Sequence, residues 1–297
     1  MASFNQFELL ESYSQSNFER LPNSLRLDKN IKDEGKLFRL LIGSLSISNN
    51  VTGEVIRQNY NYSILGKPKV VRFSINLFTD PISPSALIED INQYLTASAP
   101  ANIQLFKDLT NEFCYFYFYR QKGNHTLAFL HAYRILERIS YTFPMLFASK
   151  ARDYVGTFSK LQNYFNGSNS ELKFLNLFIN DFFEEEFLNY KVKFNITAHN
   201  EDIRESYFKI IKMLCTANSP PINYTFNEFS DITIDNKDSL NLMIHLRNRY
   251  FHFASGGQRN ISSSEMVEPS DFYEILNEHF VNWLSVVYFK IVKNSIA

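Results

Sequence analysis

The sequence has few of the residues that mark secreted, metal-binding or membrane proteins. Its 297 residues include only two cysteines, Cys114 and Cys215, which are too few for a disulfide framework and lack the spacing of zinc ligands. The most apolar run, residues 113–119, is far shorter than the roughly 20 residues of a membrane-spanning helix. Residues 1–15 lack the basic and apolar regions of a secretory signal. We therefore expect a protein of the reducing cytoplasm that does not associate with membranes.

Glycine residues are also few, and the net charge is small. The chain has 9 glycines and a formal net charge of -1, against an aromatic fraction of 16% and an apolar fraction of 45%. This composition favours long helices that pack through large rings around a substantial core. Because the net charge is close to zero, no overall field attracts nucleic acid, and an RNA site would have to be local.

Residues 1–100 are predicted to form a small α+β module. Apolar and polar residues alternate between residues 37 and 78, which indicates an antiparallel meander. The alternating segments are Leu45 and Ile47, Tyr60 to Ile64, and Val71 to Leu77. Asn49-Asn50 and Gly66-Lys67-Pro68 are the expected turns. Ser83-Pro84 predicts the start of a helix, since serine is a common N-cap and proline a common first helical residue.

Residues 101–297 are predicted to form a helical domain, with a boundary in the small residues Ala97 to Pro100. The 3.6-residue period predicts helices near residues 102–120, 125–150, 150–165, 171–190, 201–217, 238–254 and 270–293. Residues 218–237, which contain Pro220-Pro221, are predicted to form a polar loop. Gly256-Gly257 would end the helix at 238–254. The fold class is thus mainly α, a helical bundle preceded by a small α+β module.

One arginine stands out in the helix at 238–254. Arg247 lies in the predicted apolar stripe that runs from Leu240 to Ala254. A guanidinium on a buried face requires a carboxylate, a ligand or a water-filled cleft. His252 follows five residues later, about 7.5 Å along an ideal helix. Both side chains could therefore border one cleft.

The order Arg247-Asn248-Arg249-Tyr250-Phe251-His252 resembles the signature of the HEPN-family ribonucleases. The resemblance implies an all-helical fold and a metal-independent endoribonuclease that uses no cofactor. It also implies a homodimer in which two motif helices meet, so that paired Arg247 and His252 side chains line one basic cleft.

In such a site His252 would act as general base or acid on a 2'-hydroxyl or a leaving 5'-oxygen, and Arg247 would hold the phosphate. Asn248 would orient the histidine or the phosphate, and cleavage would leave a cyclic phosphate.

The resemblance also implies a polar or acidic residue on an earlier helix that faces the motif. Glu137 is the candidate, because it lies beside Tyr133 at helical spacing and could pair with Arg247 across the bundle. The other interpretation is a surface pair with Arg134 or Arg138.

The layout is similar to HEPN effectors of bacterial toxin and abortive-infection phage-defence systems, in which an added module senses a trigger. It implies RNA as substrate, either tRNA or mRNA, and a regulatory protein partner. Two alternatives remain: an inactive HEPN-like dimerisation or binding module, and an unrelated helical scaffold with a structural Arg247 and a partly buried His252. A second Arg-to-His pair, Arg120 and His125, spans an expected loop and lacks the asparagine.

Overall fold

Helices make up most of the chain, with two three-stranded sheets and one two-stranded sheet beside them. The computed structural model describes residues 5–66, 68–97, 100–168, 170–217, 221–252 and 260–296. The strands are β1 Phe7–Glu11, β2 Leu45–Asn49, β3 Val55–Gln58, β4 Tyr60–Asn61, β5 Lys69–Val70, β6 Lys191–Asn195, β7 Tyr224–Asn227 and β8 Asp231–Asp235. The helices are α1 Gln15–Phe18, α2 Asp33–Leu41, α3 Asn76–Thr79, α4 Ile88–Ala97, α5 Ile103–Gln121, α6 His125–Lys150, α7 Tyr154–Gly167, α8 Glu171–Phe182, α9 Glu185–Leu188, α10 Glu201–Thr216, α11 Ser239–Phe251, α12 Ser263–Met266 and α13 Pro269–Ile296.

The first sheet is an antiparallel meander in the order β1-β2-β3. Ile47 of β2 pairs with Leu9 on one side and with Ile56 on the other. The predicted strand at Leu45 and Ile47 and the turn after it are therefore confirmed, whereas β1 was not predicted. Arg39 of α2 is fully buried beside this sheet and is bound through two nitrogens to Glu11, at 2.5 and 2.7 Å. This pairing satisfies a charge that would otherwise be costly to bury.

Two predictions for residues 71–87 are wrong. The strand predicted at Val71 to Leu77 is absent, because only Lys69 and Val70 pair with β4 and residues 76–79 form α3 instead. The helix predicted to start at Ser83-Pro84 begins at Ile88 as α4. There the Asp90 carboxylate accepts a hydrogen bond from the Leu87 N–H, in place of the predicted cap. Lys67 of the predicted second turn and residues 98–99 of the predicted boundary lie outside the described residues.

The centre of the molecule is built by α5, α6 and α13, which pack side by side. Phe129 of α6 contacts Phe280 of α13 at a ring distance of 5.9 Å, and Phe143 contacts Tyr288 at 6.2 Å. The predicted long helices at 102–120, 125–150 and 270–293 are confirmed. The helix predicted at 171–190 is interrupted, since α8 ends at Phe182 and the short α9 follows.

The helical region also contains a sheet that was not predicted. Strands β6, β8 and β7 form an antiparallel sheet with β8 in the centre. The prediction of a polar loop over residues 218–237 is therefore wrong for residues 224–227 and 231–235, and the region is not all-α. Ile232 and Ile234 of β8 are buried, which explains why these residues form a strand. Residues 218–220 lie outside the described part of the chain.

One buried cluster runs through both parts of the molecule, from Phe7 to Val292. Phe38 of α2 packs against Phe289 of α13 at 5.0 Å between ring centroids. Asn282 of α13 donates hydrogen bonds to the carbonyls of Tyr62 and Ile64, at 3.0 and 2.8 Å. The division into modules 1–100 and 101–297 stays a prediction, and the two parts share one core.

Candidate functional site

Arg247 lies between α11 and α6, beside the residue predicted to face it. Its guanidinium carbon is 5.0 Å from the centre of the Tyr133 ring, and its Nη2 is 3.8 Å from Glu137 Oε1. Its Nη1 donates to Asn248 Oδ1 at 3.1 Å. The contact predicted between Glu137 and Arg247 is thus present. The alternative pairing of Glu137 with Arg134 or Arg138 is not observed, because those arginines bind Glu112 instead.

The sequence predicted that Arg247 lies in the middle of a buried stripe, and this prediction is wrong. The buried face of α11 is centred on Met243 and Leu246, and the Arg247 side chain remains 27% exposed at its edge. Arg249 is the arginine that is buried on this helix. The Glu137 side chain is 48% exposed, so its ion pair with Arg247 is worth about 0–1 kcal/mol. At 3.8 Å this contact is longer than a hydrogen bond.

His252 caps the C-terminus of α11. Its backbone is extended, with φ -113 and ψ 106, and its side chain is exposed. It is therefore not the partly buried histidine of the structural alternative. The predicted cap at Gly256-Gly257 belongs to residues 253–259, which lie outside the described ranges. The chain returns at Ile261, whose N–H donates to the carbonyl of Arg249 at 2.9 Å.

Aromatic packing fixes the end of α11 against the bundle. The Phe251 ring stacks on Phe129 of α6, with centroids 6.2 Å apart and planes 8° apart. It also lies 6.2 Å from Tyr273 of α13. Tyr133, which underlies Arg247, is 4% exposed. Burial raises the pKa of Tyr133 above its ordinary value, with an opposing effect from Arg247. His252, which follows Phe251, is therefore held near the packed rings of Phe129 and Tyr273.

A second group of charged residues, on α5 and α6, was not predicted as a site. Glu112 is 5% exposed, and its carboxylate lies 2.7 Å from His131 Nδ1 and 3.1 Å from Arg134 Nη2. The His131 ring stacks on Tyr115 and Tyr119, at centroid distances of 4.7 and 5.4 Å. No local spacing could have predicted this group, because its partners are on two different helices.

The second Arg-to-His pair is divided between two helices. Arg120, near the end of α5, binds the Tyr62 hydroxyl and Glu278 Oε1, the latter at 2.6 Å. His125 begins α6, and its Nε2 is 3.9 Å from Glu274 Oε1. Burial lowers the pKa of His125. Arg120 therefore links the N-terminal part to α13 and does not share a helical motif with His125.

The described part of the chain has neither a cluster of metal-binding side chains nor a membrane-spanning helix. No group of three or more histidine, cysteine, aspartate or glutamate side chains in this part is arranged to hold a metal ion. Within the same part of the chain, every helix is too short or too polar to cross a membrane.

No protein-family model, curated protein or solved structure matches the chain.

Proposed function

We propose that the chain is a metal-independent endoribonuclease of HEPN type, with Arg247 and His252 as its reacting groups. The observation that carries the proposal is the position of Arg247 next to Glu137 and Asn248. The exposed His252 follows five residues later, where it closes α11. Substrate, cleavage and dimerisation are all part of the proposal.

Arg247 is suited to bind a phosphodiester. Tyr133 supports the guanidinium from below, and Glu137 contacts it through one oxygen at 3.8 Å. A guanidinium has five N–H donors in a planar fork, which matches the geometry of phosphate oxygens. Arg247 can therefore stabilise the charge that develops on the phosphate in the transition state.

His252 is suited to proton transfer. An exposed imidazole can accept the proton of a 2'-hydroxyl or donate one to the departing 5'-oxygen. When the 2'-oxygen attacks the adjacent phosphorus, the P–O5' bond breaks and a cyclic phosphate and a 5'-hydroxyl result. Asn248, whose Oδ1 accepts from Arg247, would keep the guanidinium oriented toward the phosphate.

The wider role of the protein follows from the same resemblance. A homodimer would bring two Arg247 and His252 sets to one RNA, either tRNA or mRNA. The N-terminal module, which shares the core of the helical region, would sense a trigger or a regulatory protein partner. We therefore propose that the protein acts in the cytoplasm as a toxin or as an anti-phage defence effector.

The test compares RNA cleavage by the wild type, Arg247→Ala and His252→Ala on labelled total RNA in EDTA. The exposed residues Arg57 and His199 provide matched controls as Arg57→Ala and His199→Ala. We expect the wild type and both controls to cleave, and the two motif variants to lose at least about 100-fold in rate. Losses of this size are usual when a general acid or base, such as His252, or a group that stabilises transition-state charge, such as Arg247, is removed.

Cleavage that persists in folded Arg247→Ala and His252→Ala would exclude this site. A wild type that binds RNA without cleaving it would favour the inactive binding module. A wild type that neither cleaves nor binds RNA would favour the helical scaffold, with Arg247 as a structural residue.

A further inference from the structure

Helix α7 exposes a row of large apolar side chains. Tyr154, Val155, Phe158 and Phe165 are 80%, 79%, 66% and 61% exposed. None of the 14 residues of this helix is buried. Scattered exposed apolar residues are common, but a contiguous row of this kind marks an interaction surface.

Helix α7 packs against α8. Phe165 meets Phe174 at a ring distance of 4.7 Å, Tyr164 donates to Asp181, and Lys160 Nζ lies 3.0 Å from the same carboxylate. These contacts hold the helix in place through the Phe165 end of its apolar row and leave Tyr154, Val155 and Phe158 largely uncovered. The exposed apolar row therefore lies on a helix that α8 holds in place.

The spacing of the row is symmetric. Three members of the row, Tyr154, Phe158 and Phe165, and the half-buried Leu161 follow one another at intervals of four, three and four residues. This spacing places these four side chains on one narrow stripe of the helix. The intervals are the same when read in the opposite direction. An antiparallel copy of α7 would therefore set Tyr154 against the partner's Phe165, and Phe158 against the partner's Leu161.

The charge of α7 also favours a second copy as the occupant. Lys160 is the one charged residue between Tyr154 and Gly167, and Asp181 neutralises it. A helix that lies on an anionic membrane carries several lysines and arginines on its polar face. Two copies of a helix face without net charge do not repel each other across a twofold axis.

The area is close to what such a dimer requires. A fully covered aromatic side chain buries roughly 150–250 Å². At their exposed fractions, Tyr154, Phe158 and Phe165 would together contribute about 600–1,000 Å² over two copies. The upper end of this range reaches the roughly 1,000 Å² expected of a specific interface, and Val155, at 79% exposure, lies at its rim.

We propose that two copies of the chain associate through an antiparallel pairing of their α7 helices. This contact differs from a cleft at Arg247. Helix α8 meets α6 at Phe147, which is 14 residues and about 21 Å along α6 from Tyr133. The proposal thus goes beyond the proposed function and does not depend on it.

The first test measures the mass in solution, by sedimentation from low to high micromolar protein, of the wild type, Phe158→Glu and Val51→Glu. Val51 is as exposed as Phe158, at 66%, but lies in the turn after β2. We expect Phe158→Glu to halve the mass of the wild-type assembly and Val51→Glu to leave it unchanged, with the same circular dichroism spectrum in all three. A monomeric wild type, or equal masses in all three, would overturn the proposal.

The second test determines the direction of the pairing with Tyr154→Cys and Phe165→Cys. The native Cys114 and Cys215 are buried and do not interfere. Under mild oxidation we expect each variant alone to remain uncrosslinked and an equal mixture to form disulfide dimers. Crosslinking of each variant with itself, or no crosslinking in the mixture, would contradict the antiparallel arrangement.

RNA cleavage by the same preparations separates this proposal from the proposed function. An α7 dimer that does not cleave RNA would refute only the function, and an active protein without the α7 contact would refute only the pairing.

Discussion

At the scale of the residue, His279 gives the folded protein a defined response to acid. Its Nε2 lies 2.8 Å from Ser239 Oγ, and burial lowers its pKa to about 3. The folded state therefore keeps this ring neutral while the unfolded state binds a proton below about pH 6.5. The free energy of unfolding should fall as the pH drops from 6.5 toward 3, by about 2 kcal/mol at pH 5.

Urea unfolding at pH 7 and pH 5 measures this effect in the wild type, His279→Gln and the exposed-site control His199→Gln. The loss of stability between the two pH values should be smaller by about 2 kcal/mol in His279→Gln and unchanged in the control. The half-buried His125 and His245, whose pKa values are also lowered, contribute equally to all three proteins. An equal loss in the wild type and His279→Gln would contradict the assigned environment.

The residues of the candidate site could be predicted only in part. Helical spacing placed Glu137 and Tyr133 on one face of α6, and both meet Arg247. The periodicity of α11 did not show which of its two arginines, Arg247 or Arg249, is buried, because both lie next to the apolar stripe of the helix. The pairs of Ser239 with His279 and of Glu112 with His131 join separate helices, so local pattern carried no signal for them.

At the scale of the element, strand β8 positions the start of the motif helix. It ends at Asp235, and a single 3₁₀ turn, Asn236–Asp238, leads into α11. Ile234 of β8 is 1% exposed. Replacing it with alanine should lower the free energy of unfolding by about 2–5 kcal/mol, because a cavity remains in the core.

The control for this strand is Thr225→Ala on β7, whose side chain is exposed. It should change stability by less than about 1 kcal/mol, the full range of strand propensity. Both values come from the midpoint and slope of urea unfolding. Equal effects of the two substitutions would show that Ile234 does not pack in the core.

The missed sheet did have a signal in the sequence. Ile232 and Ile234 alternate with polar residues, and Val192 and Phe194 do so on β6, which is the period of a half-buried strand. Pro220-Pro221 and the many polar residues around it indicated a loop instead. The opposite error occurred at Val71 to Leu77, where alternation is present but no partner strand pairs beyond Val70 among the described residues.

At the scale of the whole molecule, the shared core predicts that the two sequence modules unfold together. Leu41 of α2 is fully buried in the N-terminal part, and Trp283 of α13 is the one tryptophan of the chain. Leu41→Ala should therefore lower the denaturant midpoint reported by Trp283 fluorescence, with a loss of about 2–5 kcal/mol. A midpoint that stays at the wild-type value, as expected for Val51→Ala, would instead show two independent domains.

The chemistry of the RNA ends produced in EDTA distinguishes the proposed reaction from other ways of cleaving RNA. Attack by a neighbouring 2'-hydroxyl, assisted by His252 and Arg247, predicts a 2',3'-cyclic phosphate on one fragment and a 5'-hydroxyl on the other. These ends should appear with the wild type and not with His252→Ala. Fragments with 5'-phosphate ends, or cleavage that EDTA abolishes, would contradict the account.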